Sequence, residues 1–151
     1  MNARMKHPTA LIPAARQAIF ALGKAADNGT VPARTHFLIH LRSSQLNGCT
    51  FCVDMHSREM KKAGDADERI WAVAAWRDSP LFNDTERAAL ALTEAVTRLD
   101  ERDPVPDHVW NEAARNYDEN GLASLLLSIA TINVWNRLNV PIKHPPAPAA
   151  Q

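Results

Sequence analysis

The chain has little that would direct it to nucleic acid, to a membrane or to export. Its 151 residues include 17 Lys and Arg against 17 Asp and Glu, so the formal net charge is zero. A neutral chain offers no electrostatic attraction to a phosphate backbone or an anionic lipid surface. We therefore expect no nucleic-acid partner. The chain also has no apolar run long enough to span a bilayer, so we expect no membrane association. The N-terminus also lacks the apolar run of a signal peptide, and we expect a cytoplasmic, reducing setting.

Cysteine is scarce too, since the chain holds only Cys49 and Cys52. Two cysteines do not make the disulfide framework of a small secreted protein. Zinc is disfavoured because structural sites usually have four ligands, and no second cysteine pair or His-x(3–5)-His segment follows here. We therefore expect no metal and no cofactor. A structural disulfide and a pair of buried, inert thiols remain alternatives to a redox-active pair.

Strand patterns are missing as well, because no alternating runs are bounded by Asn-Gly or Asp-Gly turns. Apolar residues make up 46% of the chain and recur at helical period, which predicts an all-α protein of about six or seven helices. The length suits a single domain over residues 1–151. We expect its compact core at about 13–140, a loosely held lead over 1–12 and a flexible Pro/Ala-rich tail over 141–151.

Proline, glycine and capping residues mark the predicted helix boundaries. They predict a helix from Pro13 to about Asp27, a second from Pro32 toward the cysteines, and a cysteine helix that ends near Ala63. Two pairs have the spacing of a capping box: Asp65 with Glu68, and Asn83 with Glu86.

The last predicted helix, which Gly121 separates from the one before it, is apolar on nearly all sides from Leu122 to Ile132. A helix of this kind is usually central or covered by a partner subunit. The chain also has four tryptophans, whose large apolar area suits a core or a subunit interface. Together these features predict a homo-oligomer.

The run from Asn47 to His56, Asn-Gly-Cys-Thr-Phe-Cys-Val-Asp-Met-His, is typical of thiol chemistry if a helix begins near Cys49. Residues three and four apart share a helix face, so Cys49 and Cys52 would lie close enough to form or break a disulfide. His56 lies four residues beyond Cys52 on that face and can take the thiol proton. The unpaired N–H groups of a helix start favour the thiolate, and Gly48 lets the chain bend into the helix.

Residues 41–56, Leu-Arg-Ser-Ser-Gln-Leu-Asn-Gly-Cys-Thr-Phe-Cys-Val-Asp-Met-His, resemble the core signature of the AhpD-like alkylhydroperoxidases. These belong to the wider carboxymuconolactone decarboxylase family. The resemblance continues at 74–77 and 86–95 and returns faintly at 132–137. It implies a compact all-helical AhpD-like bundle, often trimeric or hexameric, with the Cys-x-x-Cys pair at a helix N-terminus.

The resemblance also implies an antioxidant activity, in which a thiol-dependent peroxidase reduces hydroperoxides. By similarity the catalytic residues are Cys52 as the peroxide-attacking thiol, Cys49 as the resolving thiol and His56 as part of a proton relay. An external dithiol would then reduce the disulfide, and a lipoylated protein is one candidate. The decarboxylase branch of the family works without this cysteine pair, so its reaction is disfavoured here.

One position departs from the peroxidase pattern, which carries a glutamate twelve residues before the first cysteine. Here that residue is Phe37, which cannot carry a proton. His40 could replace it, or could be an ordinary surface or partly buried histidine. Glu94 could hold His56 in the correct tautomer, or could lie at the exposed edge of its helix. Phe37 also keeps a second function open, a non-catalytic redox sensor or binding subunit with a disulfide switch and no turnover.

Overall fold

The computed structural model describes residues 2–99 and 102–146, and all regular structure in these ranges is helical. The elements are α1 (Pro8–Leu11), α2 (Pro13–Ala26), α3 (Ala33–Leu46), α4 (Thr50–Lys62), α5 (Asp67–Ala72), a 3₁₀ helix (Val73–Asp78), α6 (Asp84–Thr97), α7 (Asp107–Asn116) and α8 (Glu119–Asn139). The prediction of an all-α fold is confirmed. The helix that the sequence did not predict is α1, a single turn in the lead.

Helices α3 and α8 form the centre of the bundle. Helix α8 packs against α2, α3 and α6, and α3 packs against α4 and α6. The α8 side chains Leu125, Ile129 and Ile132 are at most 2% exposed, and burying each contributes about 1.5–3 kcal/mol. Neighbouring helices of the same chain therefore cover much of this apolar helix, while Leu127 and Val134 stay 40% and 37% exposed. None of the described helices combines the length and apolarity needed to cross a bilayer.

The lead of the chain contacts the residues that follow α8. The Arg4 N–H donates to the Ile142 carbonyl at 2.8 Å, and His7 caps α1 by accepting the Thr9 N–H. The expectation of a loosely held lead was therefore wrong for this segment. Its partners lie at the far end of the chain, where a local sequence pattern does not reveal them. Residues 147–151 of the predicted tail lie outside the described residues.

One of the two predicted capping boxes is confirmed, and the other is wrong. At the start of α6 the Asn83 side chain accepts the Glu86 N–H at 2.9 Å, and the Glu86 carboxylate accepts the Asn83 N–H at 3.1 Å. At α5 the N-cap is Ala66, which makes no side-chain cap. The Asp65 carboxylate instead accepts from the Arg69 guanidinium at 2.9 Å. Asp65 is buried, and a buried charge is stable only when it is paired.

Of two glycines predicted at helix boundaries, Gly64 follows a helix as expected and Gly121 lies inside one. Helix α4 ends at Lys62, and Gly64 follows with a φ of 92°, the left-handed conformation expected there. Helix α8 begins at Glu119, so Gly121 lies inside its first turn and does not precede the helix. The Asp118 carboxylate accepts the Gly121 N–H at 2.7 Å. This side-chain cap starts the helix ahead of the glycine.

Candidate functional site

A tight turn between α3 and α4 places both cysteines at the start of α4. Gly48 adopts a φ of 66°, which residues with a side chain rarely take. The Cys49 N–H donates to the Ser44 carbonyl at 3.0 Å. Cys49 is the N-cap of α4, and its Sγ accepts the Cys52 N–H at 3.3 Å. The Cys-x-x-Cys pair therefore lies at a helix N-terminus, as the sequence predicts.

Cys49 and Cys52 are joined by a disulfide, with their Cα atoms 5.3 Å apart. This separation lies within the ordinary range for disulfides, as expected for residues three apart at a helix start. Both are buried, at 2% and 1% exposed respectively. Cys52 lines the main cavity of the molecule, whereas Cys49 is not among its lining residues. A small molecule in the cavity would therefore meet Cys52 first.

The main cavity has a volume of about 800 Å³ and lies between α2, α3, α4 and α8. This volume falls within the range of small-molecule sites. Five of the six histidines line it: His7, His36, His40, His56 and His144. Apolar and aromatic side chains make up much of the wall, including Ile19, Phe20, Phe37, Phe51, Ile132 and Trp135. Across residues 2–99 and 102–146, no three His, Cys, Asp or Glu side chains are grouped to bind a common metal ion.

His56 lies one helical turn after Cys52 and is 5% exposed. Its Nδ1 lies 2.7 Å from a carboxylate oxygen of Glu59. Because a carboxylate only accepts, Nδ1–H is the donor, and Nε2 carries no proton when the ring is neutral. Nε2 is buried and has no hydrogen-bond partner among the described residues. His56 therefore presents a proton acceptor that is held in one tautomer.

Glu59 is the carboxylate that bonds His56, and it was not among the residues predicted from the sequence. It lies three residues after His56 on α4, and its side chain is 44% exposed. Residues three apart on a helix are neighbours, so the spacing alone contained the signal. The candidates predicted to replace the family glutamate, His40 and Glu94, lie on other helices.

Glu94 does not contact His56, so the prediction that it fixes the imidazole is wrong. One carboxylate oxygen of Glu94 accepts from the Arg42 Nε at 2.7 Å and from the Trp76 Nε1 at 2.8 Å. The other accepts from the Arg77 guanidinium at 2.8 Å. The alternative of an exposed helix edge also fails, because the side chain is 14% exposed. A buried acid needs positive partners, and two arginines supply them.

His40 lies beside His56, with ring centroids 5.0 Å apart. Its Nε2 is 3.0 Å from the Ser128 hydroxyl, and the His36 Nδ1 is 2.9 Å from the same oxygen. The hydroxyl has one proton, so it donates to one imidazole and accepts from the other. Burial, then the neighbouring His56 and His36, holds the pKa of His40 well below its usual value. His40 is therefore a neutral, partly buried imidazole at the cavity wall, as the second alternative expected.

Comparisons with known proteins agree with this architecture. The profile of the carboxymuconolactone decarboxylase family matches residues 13–95. The uncharacterized protein YdfG of Bacillus subtilis is 33% identical over 130 residues, which cover 86% of this chain and 88% of that protein.

Two crystal structures share the fold. ATU0492 of Agrobacterium tumefaciens, a protein of unknown function proposed to be the antioxidant defence protein AhpD, matches with a TM-score of 0.89 and 30% identity, over 96% of this chain and 98% of that chain. The debrominase Bmp8 matches with a TM-score of 0.83 and 24% identity, over 93% of this chain and 75% of its own. The second likeness concerns the fold alone. The chain has an AhpD-like all-α fold and belongs to the carboxymuconolactone decarboxylase family.

Proposed function

We propose that this protein is a thiol-dependent peroxidase that reduces hydroperoxides with the pair Cys49 and Cys52. The observation that carries the proposal is the meeting of two groups in one largely apolar cavity. These are the Cys52 sulfur and the His56 imidazole, whose buried Nε2 has no partner among the described residues. A nucleophile with an adjacent oriented base is the arrangement that covalent catalysis needs. The likeness to ATU0492 supports the same antioxidant role.

The first step oxidises Cys52. The thiol S–H bond breaks, its electron pair stays on sulfur, and the proton goes to Nε2 of His56. The thiolate then attacks the terminal oxygen of the hydroperoxide. An S–O bond forms as the O–O bond breaks, which leaves a sulfenic acid on Cys52. The departing alkoxide takes the proton held by His56 and leaves as an alcohol.

The second step forms the disulfide. Cys49 attacks the sulfur of the sulfenic acid, so the S–S bond forms as the S–O bond breaks. The departing hydroxide takes the Cys49 proton and leaves as water. An external dithiol then reduces the disulfide and is itself oxidised to a disulfide. We propose that this reductant is a cytoplasmic dithiol, with a lipoylated protein as the candidate that the family suggests.

Phe37 does not weaken this proposal, because the acid of the relay has another source. Glu59 bonds Nδ1 of His56 at 2.7 Å from within the same helix. It can therefore stabilise the imidazolium that forms when His56 takes the thiol proton. His40 lies beside His56 with ring centroids 5.0 Å apart and stays neutral there, so the proton taken from Cys52 remains on His56.

The proposal is tested by steady-state consumption of an organic hydroperoxide with dithiothreitol as reductant. The wild type should consume peroxide well above the rate of the free dithiol, and Cys52→Ser should not. Cys49→Ser should react once and retain a sulfenic acid on Cys52, detected by dimedone labelling and mass spectrometry. Glu94→Gln, which lies outside the cavity, is the matched control and should keep its turnover. A wild type that cycles its disulfide without consuming peroxide would instead indicate a redox sensor.

We also propose that the chain assembles as a homo-oligomer, a trimer or hexamer. Large apolar side chains remain at the surface of the single chain, including Phe20 at 56%, Trp71 at 69% and Leu127 at 40% exposed. Burying such side chains against copies of the chain would remove their apolar area from water. Light scattering at micromolar concentration should give a mass of three or six chains. A monomer under those conditions would contradict the proposal.

A further inference from the structure

A chain of hydrogen bonds runs from the lead of the protein to the sulfur of Cys52. The Asn139 Nδ2 donates to the Cys52 Sγ at 3.3 Å. The Oδ1 of the same amide lies 3.1 Å from Nε2 of His7. At the other side of that ring, Nδ1 of His7 accepts the Thr9 N–H at 3.1 Å and lies 2.7 Å from the Thr9 hydroxyl. Asn139 is 4% exposed and ends α8, so the amide is held between the imidazole and the sulfur.

The direction of every bond in this chain follows from one backbone N–H. The Thr9 N–H can only donate, so Nδ1 of His7 carries no proton, and the Thr9 hydroxyl donates to the same nitrogen. Nε2–H of the neutral ring then donates to the Asn139 oxygen. The amide nitrogen must then point to Cys52. A flipped amide would oppose its N–H to that of His7 and turn its oxygen toward the sulfur. The hydrogen-bond network therefore fixes the orientation of the Asn139 amide.

We propose that Asn139 is a catalytic residue that stabilises the Cys52 thiolate, and that His7 is a positioning residue that holds its amide in the donating orientation. The inference rests on the proposed role of Cys52 as the attacking thiol. An N–H donor bonds a thiolate more strongly than a thiol, because hydrogen bonds to ionised acceptors are the stronger ones. The amide faces this sulfur in the disulfide. Once the disulfide is reduced and the Cys52 S–H bond breaks, the electron pair stays on that sulfur and the proton goes to Nε2 of His56.

This role explains why the lead packs against the end of α8. His7 serves at once as the N-cap of α1 and as the donor to Asn139. The two roles use different ring nitrogens, so substitutions can separate them. The second donor to the cysteine pair is the Cys52 N–H, which the Cys49 sulfur accepts. Each sulfur thus has its own N–H donor.

The experiment measures ionisation of Cys52 directly, in a Cys49→Ser background that leaves Cys52 as the one thiol. The rate of iodoacetamide labelling across pH gives the midpoint of thiol ionisation. Asn139→Leu, which has nearly the same shape and no donor, should label about tenfold more slowly at neutral pH, with the midpoint about one pH unit higher. The limiting rate at high pH should not change, because a thiolate forms there without help.

Two further variants and a control keep the test decisive. Asn139→Asp has the same shape but offers no donor and adds a negative charge, so it should raise the midpoint at least as far. It also serves if Asn139→Leu does not fold. Asn136→Leu is the matched control, because the Asn136 amide is buried one turn earlier and donates to the Ser44 hydroxyl at 3.1 Å. Unchanged midpoints in both Asn139 variants would overturn the proposal, as would an equal shift in Asn136→Leu.

A matched pair at position 7 tests the positioning role. In His7→Asn the side-chain oxygen replaces Nδ1 and can still cap α1, but it does not reach Asn139. In His7→Gln the amide nitrogen reaches the place of Nε2. We expect labelling at neutral pH to slow about threefold in His7→Asn and to stay near that of the parent in His7→Gln, since the lost bond acts through a second group. Equal midpoints in the two would leave His7 as a helix cap alone.

Labelling by iodoacetamide needs no peroxide, so the two proposals fail separately. A raised midpoint in the Asn139 variants, in a protein that consumes no hydroperoxide, would refute the peroxidase and leave the thiolate donor standing. Turnover by the wild type together with unchanged midpoints in the Asn139 variants would support the peroxidase and refute the thiolate donor.

Discussion

The polar groups of this molecule fall into two regions that contrast in how far their hydrogen-bonding capacity is used. Around Glu94 both carboxylate oxygens are taken, by Arg42, Arg77 and the Trp76 indole. Five imidazoles line the cavity, and the Nε2 atoms of His36 and His56 are buried with no hydrogen-bond partner in the described part of the chain. Native structures leave few buried polar atoms unsatisfied. The cavity is therefore the region equipped for chemistry, and the Glu94 network is equipped for stability.

The difference teaches that an acid in an apolar stretch of sequence is not by itself a sign of catalysis. Glu94 and Glu59 are both helical acids, yet one neutralises guanidinium groups and the other orients an imidazole. What separates them is the charge of the partner. A guanidinium stays charged at all ordinary pH values, whereas an imidazole exchanges its proton near neutrality.

The largest effect is expected from replacing the base of the cavity. His56→Asn removes the proton acceptor of Cys52, and general-base catalysis contributes about 10²- to 10⁴-fold. Peroxide consumption at neutral pH should therefore fall at least about a hundredfold, while thermal unfolding changes little. His108→Asn is the matched control, because His108 lies exposed on α7. Equal activity in the two variants would remove His56 from the mechanism.

The second largest effect is expected from the Glu94 network, on stability and not on activity. Glu94→Ala leaves the Arg42 guanidinium, which is 15% exposed, without its acid. Breaking one side of a largely buried ion pair should lower the free energy of unfolding by about 3 kcal/mol, as measured by urea denaturation.

The comparison of the two regions predicts that iodoacetamide labelling of Cys52 is unchanged in Glu94→Ala. Glu112→Ala, at an exposed acid paired with Arg115, should leave the stability almost unaltered. A Glu94 variant that kept its stability and lost its thiol reactivity would reverse the assignment of the two regions.

The sequence predicted the features of the site that depend on spacing within one helix. Cys49, Cys52 and His56 share α4, so a helical period was enough to bring them together. Glu59 belongs to the same class and could have been found by the same rule, three residues from His56. The fold class followed from the helical period of the apolar residues and from the resemblance at the cysteine run.

The features that the sequence did not predict depend on contacts between distant parts of the chain. Ser128 bridges two histidines of α3 from α8, and Asn139 reaches Cys52 across 87 positions of sequence. Glu94 appeared available to His56 because nothing local marks Arg42, 52 positions earlier, as its partner. The lead was expected to be loose because its partners follow α8. Such pairings are set by packing of the whole bundle, which no local period encodes.

The smallest effect is expected in the pH dependence of stability. It should come from the histidines of the cavity and not from the Glu94 network. Burial, with His56 and His36 nearby, lowers the pKa of His40 well below the 6.5 of an ordinary imidazole. Burial also lowers the pKa of His36. As the pH falls below about 6.5, the unfolded chain binds protons at these rings before the folded protein does. The free energy of unfolding should therefore decrease with acidification in this range.

Replacing one of these two histidines tests whether it causes the loss of stability at low pH. The slope of the unfolding free energy against pH equals the difference in bound protons between the two states. His40→Asn removes one titrating ring from that difference, so the slope below pH 6.5 should fall by the contribution of up to one proton. Urea denaturation at a series of pH values measures it, with His108→Asn as the control. If His40→Asn and the wild type lose stability in parallel, His40 is not held neutral by the fold. The acid sensitivity would then have to come from other groups, and His36, whose pKa burial also lowers, is the first of them.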